Sequence, residues 1–464
     1  MAEVVILGAG LTGLCVALHL EEKGFYDFKI FEKENSVGGL LRSFYHDGFT
    51  FDFTGHLLHT NNDYFYNFLE KIAGINNFNP LTRKSFIHLN NKIIPYPFQI
   101  NLGNLDPEIT IDSILGFIDR KKNIKKPKSY YEWVLKYFGS GMGKHFFFPY
   151  NQKLLCYDTK KITSSWTGRF IPQTNLKTIL RNTLNKSSES NIGYNRHFYY
   201  PKNGGIIYLI DQITKKLKSK IHTNYTAEKI DTKNKTVYFQ NGHKEKYNTL
   251  VNTTPLNSFL NSFEQNSSTN LKRTADKLLC NSLFNFNVGF DVANLTDKHW
   301  IYFPETKYPF YRIGFWHNIC PTSVPKNCSA IYGELSYLPG TKTEKQVYNL
   351  AEKSIKSATK VLGLNNSNII TQKNLHIPHA YVIYNFWREK NLKKLLAQLE
   401  KISIYSTGRY GEWKYSSMQE AVLDGKKTSE NLLHSLGKLN RKTTSPSQTF
   451  ITTRQRRNIK NKIL

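Results

Sequence analysis

Residues 4–13 read VVILGAGLTG, and this junction constrains the fold more than any other stretch. Val4-Val5-Ile6-Leu7 is a short apolar strand rich in β-branched residues, and Gly8, Gly10 and Gly13 follow it at once. Leu14, Ala17, Leu18 and Leu20 then recur at helical spacing. In a βαβ unit the first glycine permits the tight turn and the second lets the backbone approach a pyrophosphate. The third lets the helix pack close against the strand. The helix start turns unpaired N–H groups and its positive dipole end toward the phosphates. A second strand, 28–31, ends in Glu32, 19 positions after Gly13, where a carboxylate accepts hydrogen bonds from an adenosine ribose.

The continuation separates FAD from NAD. Val37-Gly38-Gly39-Leu40-Leu41-Arg42 resembles the second half of the flavoprotein fingerprint, with bare backbone and then a charge for the phosphates. The expected cofactor is therefore FAD, and no metal-ligand spacing is present. Five cysteines (Cys15, Cys156, Cys280, Cys320, Cys328) are odd in number and contain no CxxC pair. That pattern fits free thiols in a reducing compartment. Cys15, a small residue on the first helix, reads as core packing. The first strand begins at Val4 and leaves no room for a signal peptide, so a cytoplasmic location is expected. No apolar run approaches the ~18 residues of a spanning helix.

A chain of 464 residues is too long for one ordinary domain, and its 39% hydrophobic and 14% aromatic content suits a globular protein with ligand clefts. The expected fold class is α/β: a discontinuous Rossmann-type FAD-binding domain with an inserted helical segment and an antiparallel β-sheet substrate domain. The FAD-binding domain takes 1–100, 201–255 and 346–437; residues 101–200 form the helical cap, and 256–345 the antiparallel sheet. Within these, helices are expected at 62–76, 130–138, 204–219, 343–361 and 417–436. A hairpin is expected to turn at Asn90-Asn91. Strands are expected at 225–230, 236–240, 250–253, 283–292, 299–303, 309–316, 329–336 and 402–406.

The net charge of +29 is partly concentrated in two runs. One is 120–128, RKKNIKKPK; the other is 438–464, which holds eight Lys or Arg and no acidic residue. The second, rich in Ser, Thr, Asn and Gln, reads as a basic disordered tail. No aromatic interleaving or nucleic-acid motif accompanies either, so no specific nucleic-acid partner is expected.

Three further segments are similar to the UDP-galactopyranose mutases and their relatives in the flavin amine oxidase and protoporphyrinogen oxidase superfamily. They are Phe51-Asp52-Phe53-Thr54-Gly55-His56-Leu57-Leu58-His59-Thr60, His299 to Glu305 with Pro309-Phe310-Tyr311-Arg312, and Gly408-Arg409-Tyr410-Gly411-Glu412-Trp413-Lys414-Tyr415. The resemblance runs from Ala2 to about Leu436. It implies an enzyme in which reduced flavin N5 attacks the anomeric carbon of a nucleotide sugar for ring contraction in glycan or polysaccharide biosynthesis. Such chemistry needs a held diphosphate and an enclosed site. By position, Tyr302, Arg312 and Tyr415 would grip the diphosphate, and His56 would sit beside the flavin and tune it. The cofactor set implied is Gly8, Gly10, Leu11, Thr12, Gly13, Glu32, Lys33, Gly38, Gly39, Leu40, Arg42, His56, Gly408, Arg409, Ser417 and Met418.

Two positions depart from the mutase pattern. Tyr199 stands where an arginine precedes Pro-x-x-Gly-Gly, and Leu155 stands where a tryptophan ends the Tyr150–Leu154 segment. These keep a second function open: an oxidoreductase of the amine oxidase, protoporphyrinogen oxidase or desaturase kind, taking hydride from its substrate onto flavin. A third reading is a flavin-binding scaffold without catalysis. The partners expected are a small-molecule substrate and a flavin reductant that the sequence does not identify; a homo-oligomer stays open.

Overall fold

The strand Ala2–Leu7 lies at the centre of a seven-stranded sheet and pairs in parallel with Phe28–Phe31 on one side and Lys244–Asn252 on the other. The computed structural model describes residues 2–186, 196–264 and 269–438. Val4, Val5 and Ile6 have no exposed surface, as expected of a parallel strand covered on both faces. Ile221–His222 extends the sheet beyond Phe28–Phe31. Lys244–Asn252 has two further sets of partners: its start pairs with Thr236–Phe239, which pairs antiparallel with Ala227–Asp231 in turn, and its end pairs with Ile404–Ser406. One sheet is thus assembled from the beginning, middle and end of the chain.

Helix Leu11–Glu22 covers this sheet, and the last helix, Met418–Ser435, packs against it. The approach is close because residue 425 is glycine: a Cβ there would lie 2.6 Å from that of Cys15. Cys15 is fully buried, as its core-packing reading expects. The last helix opens on a capping box in which Ser417 and Glu420 satisfy each other's backbone N–H groups.

A second seven-stranded sheet runs in the order Ile369–Ile377, Ser282–Phe290, Ser329–Tyr337, Arg312–Phe315, Trp300–Tyr302, Ser85–Leu89, Lys92–Pro95. All neighbours are antiparallel except Trp300–Tyr302 with Ser85–Leu89. Its two ends therefore come from stretches that the sequence reading gave to the FAD-binding domain. The Asn90-Asn91 turn occurs as expected, both residues having positive φ. Helix Glu344–Val361 packs on this sheet.

Between the two sheets the chain inserts helices Pro107–Ile118, Tyr130–Tyr137, Phe148–Leu155 and Leu176–Leu184 with shorter turns. Helix Phe386–Lys401, not expected from the sequence, packs beside Ile404–Ser406. The fold class is the α/β arrangement expected. The basic tail beyond residue 438 lies outside the described residues.

Candidate functional site

Two groups of side chains form the site, and the first surrounds the glycine turn. Gly8 has φ +97°, and a Cβ at Gly13 would lie 2.0 Å from the Gly8 carbonyl oxygen, so helix and turn touch there. A Cβ at Gly10 would meet nothing within 4 Å. The middle glycine faces open space, where a pyrophosphate requires bare backbone. No side chain caps the helix that starts at Leu11. Gly38 bridges Gly10, and its N–H donates to Ala9 O at 2.8 Å, which brings the second glycine pair against the first.

Glu32 is buried and accepts from the N–H of Ala9 at 2.8 Å and of Glu34 at 3.0 Å, one on each oxygen. Each carboxylate oxygen has room for a further donor. Arg42 donates to Gly39 O at 2.9 Å and to Ser36 Oγ at 3.2 Å, and stands over the Phe53 ring. It braces the glycine turn. Thr12 is buried against Gly408, and Leu40 packs with the Phe53 cluster. Lys33 is exposed and pairs with Glu34; Ser417 and Met418 open the last helix.

The second group sits at the seam between the second sheet and the helical segment. Strand register aligns Tyr302, Arg312 and Glu334 across three neighbouring strands. Arg312 Nη2 donates to Glu334 Oε1 at 2.5 Å, and Glu334 has no exposed side-chain surface. Burial, the largest single influence, opposes the guanidinium charge, but the Glu334 carboxylate together with the neighbouring Tyr332, Tyr381 and Tyr311 outweighs it, and the Arg312 pKa is raised. Tyr302 packs among Tyr96 and Tyr150, each ring 5.3 Å away.

His56 follows Thr54, whose φ of +56° turns the chain into the seam. A Cβ at Gly55 would lie 2.3 Å from the Tyr332 hydroxyl. Burial pushes the His56 imidazole down to about 4, and the charges of Arg409 and Arg312 add to that. His56 is neutral at pH 7. Its Nδ1 contacts the Phe53 carbonyl, which can only accept, so Nδ1 carries the proton and Nε2 is the bare acceptor.

Arg409 donates to Ser416 O at 2.9 Å and to Ala380 O at 3.1 Å, and lies beside the Tyr381 and Tyr410 rings. The Tyr415 N–H donates to the Tyr384 hydroxyl, and its ring meets Trp166 edge-on at 5.4 Å. Burial drives the Tyr415 phenol pKa upward, so it is a donor. Among the buried polar atoms here without a hydrogen-bond partner are the donors Arg312 Nε, Arg409 Nε, Trp166 Nε1 and the Tyr311 and Tyr415 hydroxyls, and one acceptor, Glu334 Oε2.

Leu155 is buried in the apolar cluster against which Tyr150, Tyr302 and Tyr415 also pack. An indole is nonetheless present, from Trp166. Tyr199 forms a two-way backbone bridge to Leu58, at 3.0 and 2.8 Å. His59 contacts His197 O and the Phe198 ring. Sequence reasoning missed Trp166, Tyr381 and Glu334. The first two lie in loops without periodicity; Glu334 is signalled only by the cross-strand register.

A family model described as flavin-containing amine oxidoreductase matches residues 11–433. The chain belongs to this family. A crystal structure of reduced UDP-galactopyranose mutase superposes with a TM-score of 0.86 at 26% identity, covering 95% of this chain and 96% of that one. A protein described as a protoporphyrinogen oxidase from Exiguobacterium sp. 255-15 shares the fold at 0.72 and 14% identity, over 94% and 99% of the two chains. The 4,4'-diapophytoene desaturase of Staphylococcus aureus (strain COL) is 44% identical over 50 residues, 11% of this chain. That match spans only 10% of the desaturase's length.

As a member of this family the chain is an enzyme with FAD as its cofactor, which removes the scaffold reading. The residues present fit that group: the opening at Gly10, the uncapped helix start and the buried Glu32 carboxylate suit pyrophosphate and ribose. Among the described residues no cluster of His, Cys, Asp or Glu could hold a metal, and no helix is long and apolar enough to cross a membrane.

Proposed function

We propose that this enzyme isomerises a nucleotide sugar in the manner of a UDP-galactopyranose mutase. The observation that carries the reading is the set of unpartnered buried donors on Arg312, Arg409 and Tyr415. A buried donor left unsatisfied costs about 1–3 kcal/mol, and an anionic diphosphate would relieve several at once. The likeness to the reduced mutase over nearly the whole chain supports the same reading.

When bound, reduced FAD supplies a nucleophilic electron pair to the sugar, with no net redox change across the reaction. The protein's part is to hold and enclose. Arg312 and Arg409 offer charge-assisted donors to phosphate oxygens, and Tyr302 and Tyr415 add phenolic ones. His56, neutral, would offer Nε2 as a hydrogen-bond acceptor to the flavin. Trp166 and Tyr381 exclude water from the sugar side.

A hydride-accepting oxidoreductase is the second reading. The aromatic wall of Tyr96, Tyr150 and Tyr302 favours it, since a polyene or hydrophobic amine needs such a surface, and so do Leu155 and Tyr199. A thermal-shift panel on dithionite-reduced protein separates the two. Under the mutase reading UDP and UDP-galactose raise the melting temperature. A flat response to every UDP ligand, with stabilisation by an amine or polyene instead, overturns it.

A further inference from the structure

Five aliphatic side chains stand exposed on the helical segment. Ile111, Leu115 and Ile118 are 49%, 54% and 46% exposed on Pro107–Ile118; Leu180 and Leu184 are 38% and 80% exposed on Leu176–Leu184. The first three recur at i, i+4 and i+7 and so share one face. The opposite face, Ile109, Ser113, Gly116 and Phe117, is buried. The two helices pack against each other.

The loop leaving the first of these helices is the basic run 120–128, with six Lys or Arg and no acidic residue. Lys121, Lys122, Lys125, Lys126 and Lys128 are all exposed. The loop is fixed in place: the Lys121 N–H donates to Leu135 O at 3.1 Å, and Lys136 Nζ to Lys125 O at 2.8 Å. Lys177, Arg181 and Lys186 add exposed cations on and after the second helix. Asp112 is paired with Lys144 and contacts His145, which leaves Glu108 and Asp119 as the exposed acids of the patch.

We infer that this face docks the enzyme on an anionic lipid surface. Aliphatic side chains beside a fixed array of lysines are what a bilayer interface with acidic headgroups rewards: the first enter the acyl boundary, the second meet the phosphates. A symmetric dimer through the same patch would bring like charges together. A nucleic acid would engage the lysines and leave the aliphatic stripe in water.

Sedimentation of the full-length holoenzyme with vesicles tests this. The parent is expected to bind vesicles of phosphatidylcholine mixed with phosphatidylglycerol and not vesicles of phosphatidylcholine alone. Replacing Lys121, Lys122, Lys125 and Lys126 by Ala should weaken binding by roughly fivefold for each lysine at the surface. Leu115→Asn should weaken it by roughly tenfold with the lysines intact. Flavin content should be unchanged in both, because all these side chains are exposed. Equal binding to neutral vesicles, no binding by the parent, or full binding by both variants (which would assign it to the basic tail) overturns the inference. So does a Leu115→Asn effect seen only on dimerisation, or lysine-dependent binding to RNA or an acidic protein without any to lipid.

Discussion

Arg312 and Glu334 face each other on adjacent strands, Nη2 to Oε1 at 2.5 Å, with the carboxylate wholly buried and the guanidinium keeping 19% of its side-chain surface accessible. The pairing uses one oxygen and one nitrogen. Glu334 Oε2 and Arg312 Nε are left without partners. A buried ion pair half satisfied in this way is a weak source of stability and a strong positioning device. It aims a guanidinium edge into the seam where His56, Arg409 and Tyr415 converge.

Removing Glu334 should therefore cost stability out of proportion to its size. Glu334→Ala leaves a charge in a poorly solvated place, at a cost of about 3 kcal/mol. Glu334→Gln, which still accepts a hydrogen bond, should cost less. Urea denaturation of both holoproteins checks the order; equal stability of parent and Glu334→Ala would mean that Arg312 is solvated after all.

The glycine turn gives a contrast between two neighbouring substitutions. Gly10→Val fills space that the protein itself leaves open, so the apoprotein should fold while visible flavin absorbance is lost. Gly13→Ala drives a methyl group into the Gly8 carbonyl and should destabilise the apoprotein itself. Circular dichroism melts beside flavin-to-protein ratios decide this. A yellow Gly10→Val protein would refute the pyrophosphate assignment.

That contrast also shows why some of the molecule was legible in its sequence. Strand, glycine turn and helix are successive in the chain, and their glycines are needed for contacts between near neighbours. Arg312 was legible by resemblance, but its partner lies 22 positions away and is chosen by strand register. Ile369–Ile377, which pairs with Ser282–Phe290 from Leu283 to Phe290, was missed because its exposed residues obscure the pattern. Helix Phe386–Lys401 was missed in a lysine-rich stretch with only a narrow buried face, Arg388, Leu392, Leu395 and Leu399. Trp166 reaches Tyr415 through tertiary packing alone, across 249 positions of sequence.

Stability should rise with pH between about 4 and 6.5. Burial pushes His56, His59, His299 and His379 each down to about 4 from 6.5. In that window the unfolded chain binds more protons at these groups, so their stabilisation is present above 6.5 and lost as pH falls toward 4. Asp52 and Asp424 are pushed up to about 6 by burial and act in the opposite sense, losing stabilisation as pH rises through 6. Four groups outweigh two. Melting temperatures across this range should climb, and a flat or falling profile would show that the histidines are hydrated.

Arg312→Ala should weaken nucleotide-sugar binding by roughly 1.5–3 kcal/mol, about ten- to a hundredfold, with FAD retained. Arg312→Lys should restore only part, because an ammonium keeps the charge without the two-pronged geometry. Titration of UDP and UDP-galactose against the three proteins measures this; identical affinities would take Arg312 out of the site.

The proposed reaction is an isomerisation that uses reduced FAD without consuming it. Anaerobic, dithionite-reduced enzyme incubated with UDP-galactopyranose, with the ring forms separated by chromatography, tests it most directly. Many interconversions per equivalent of reductant are expected, with no more hydrogen peroxide on readmitting oxygen than the same reduced enzyme gives without the sugar, about one equivalent per reduced flavin plus that from residual dithionite. Failure to isomerise any UDP sugar, together with oxygen-dependent turnover and peroxide release on an amine or polyene, would contradict it.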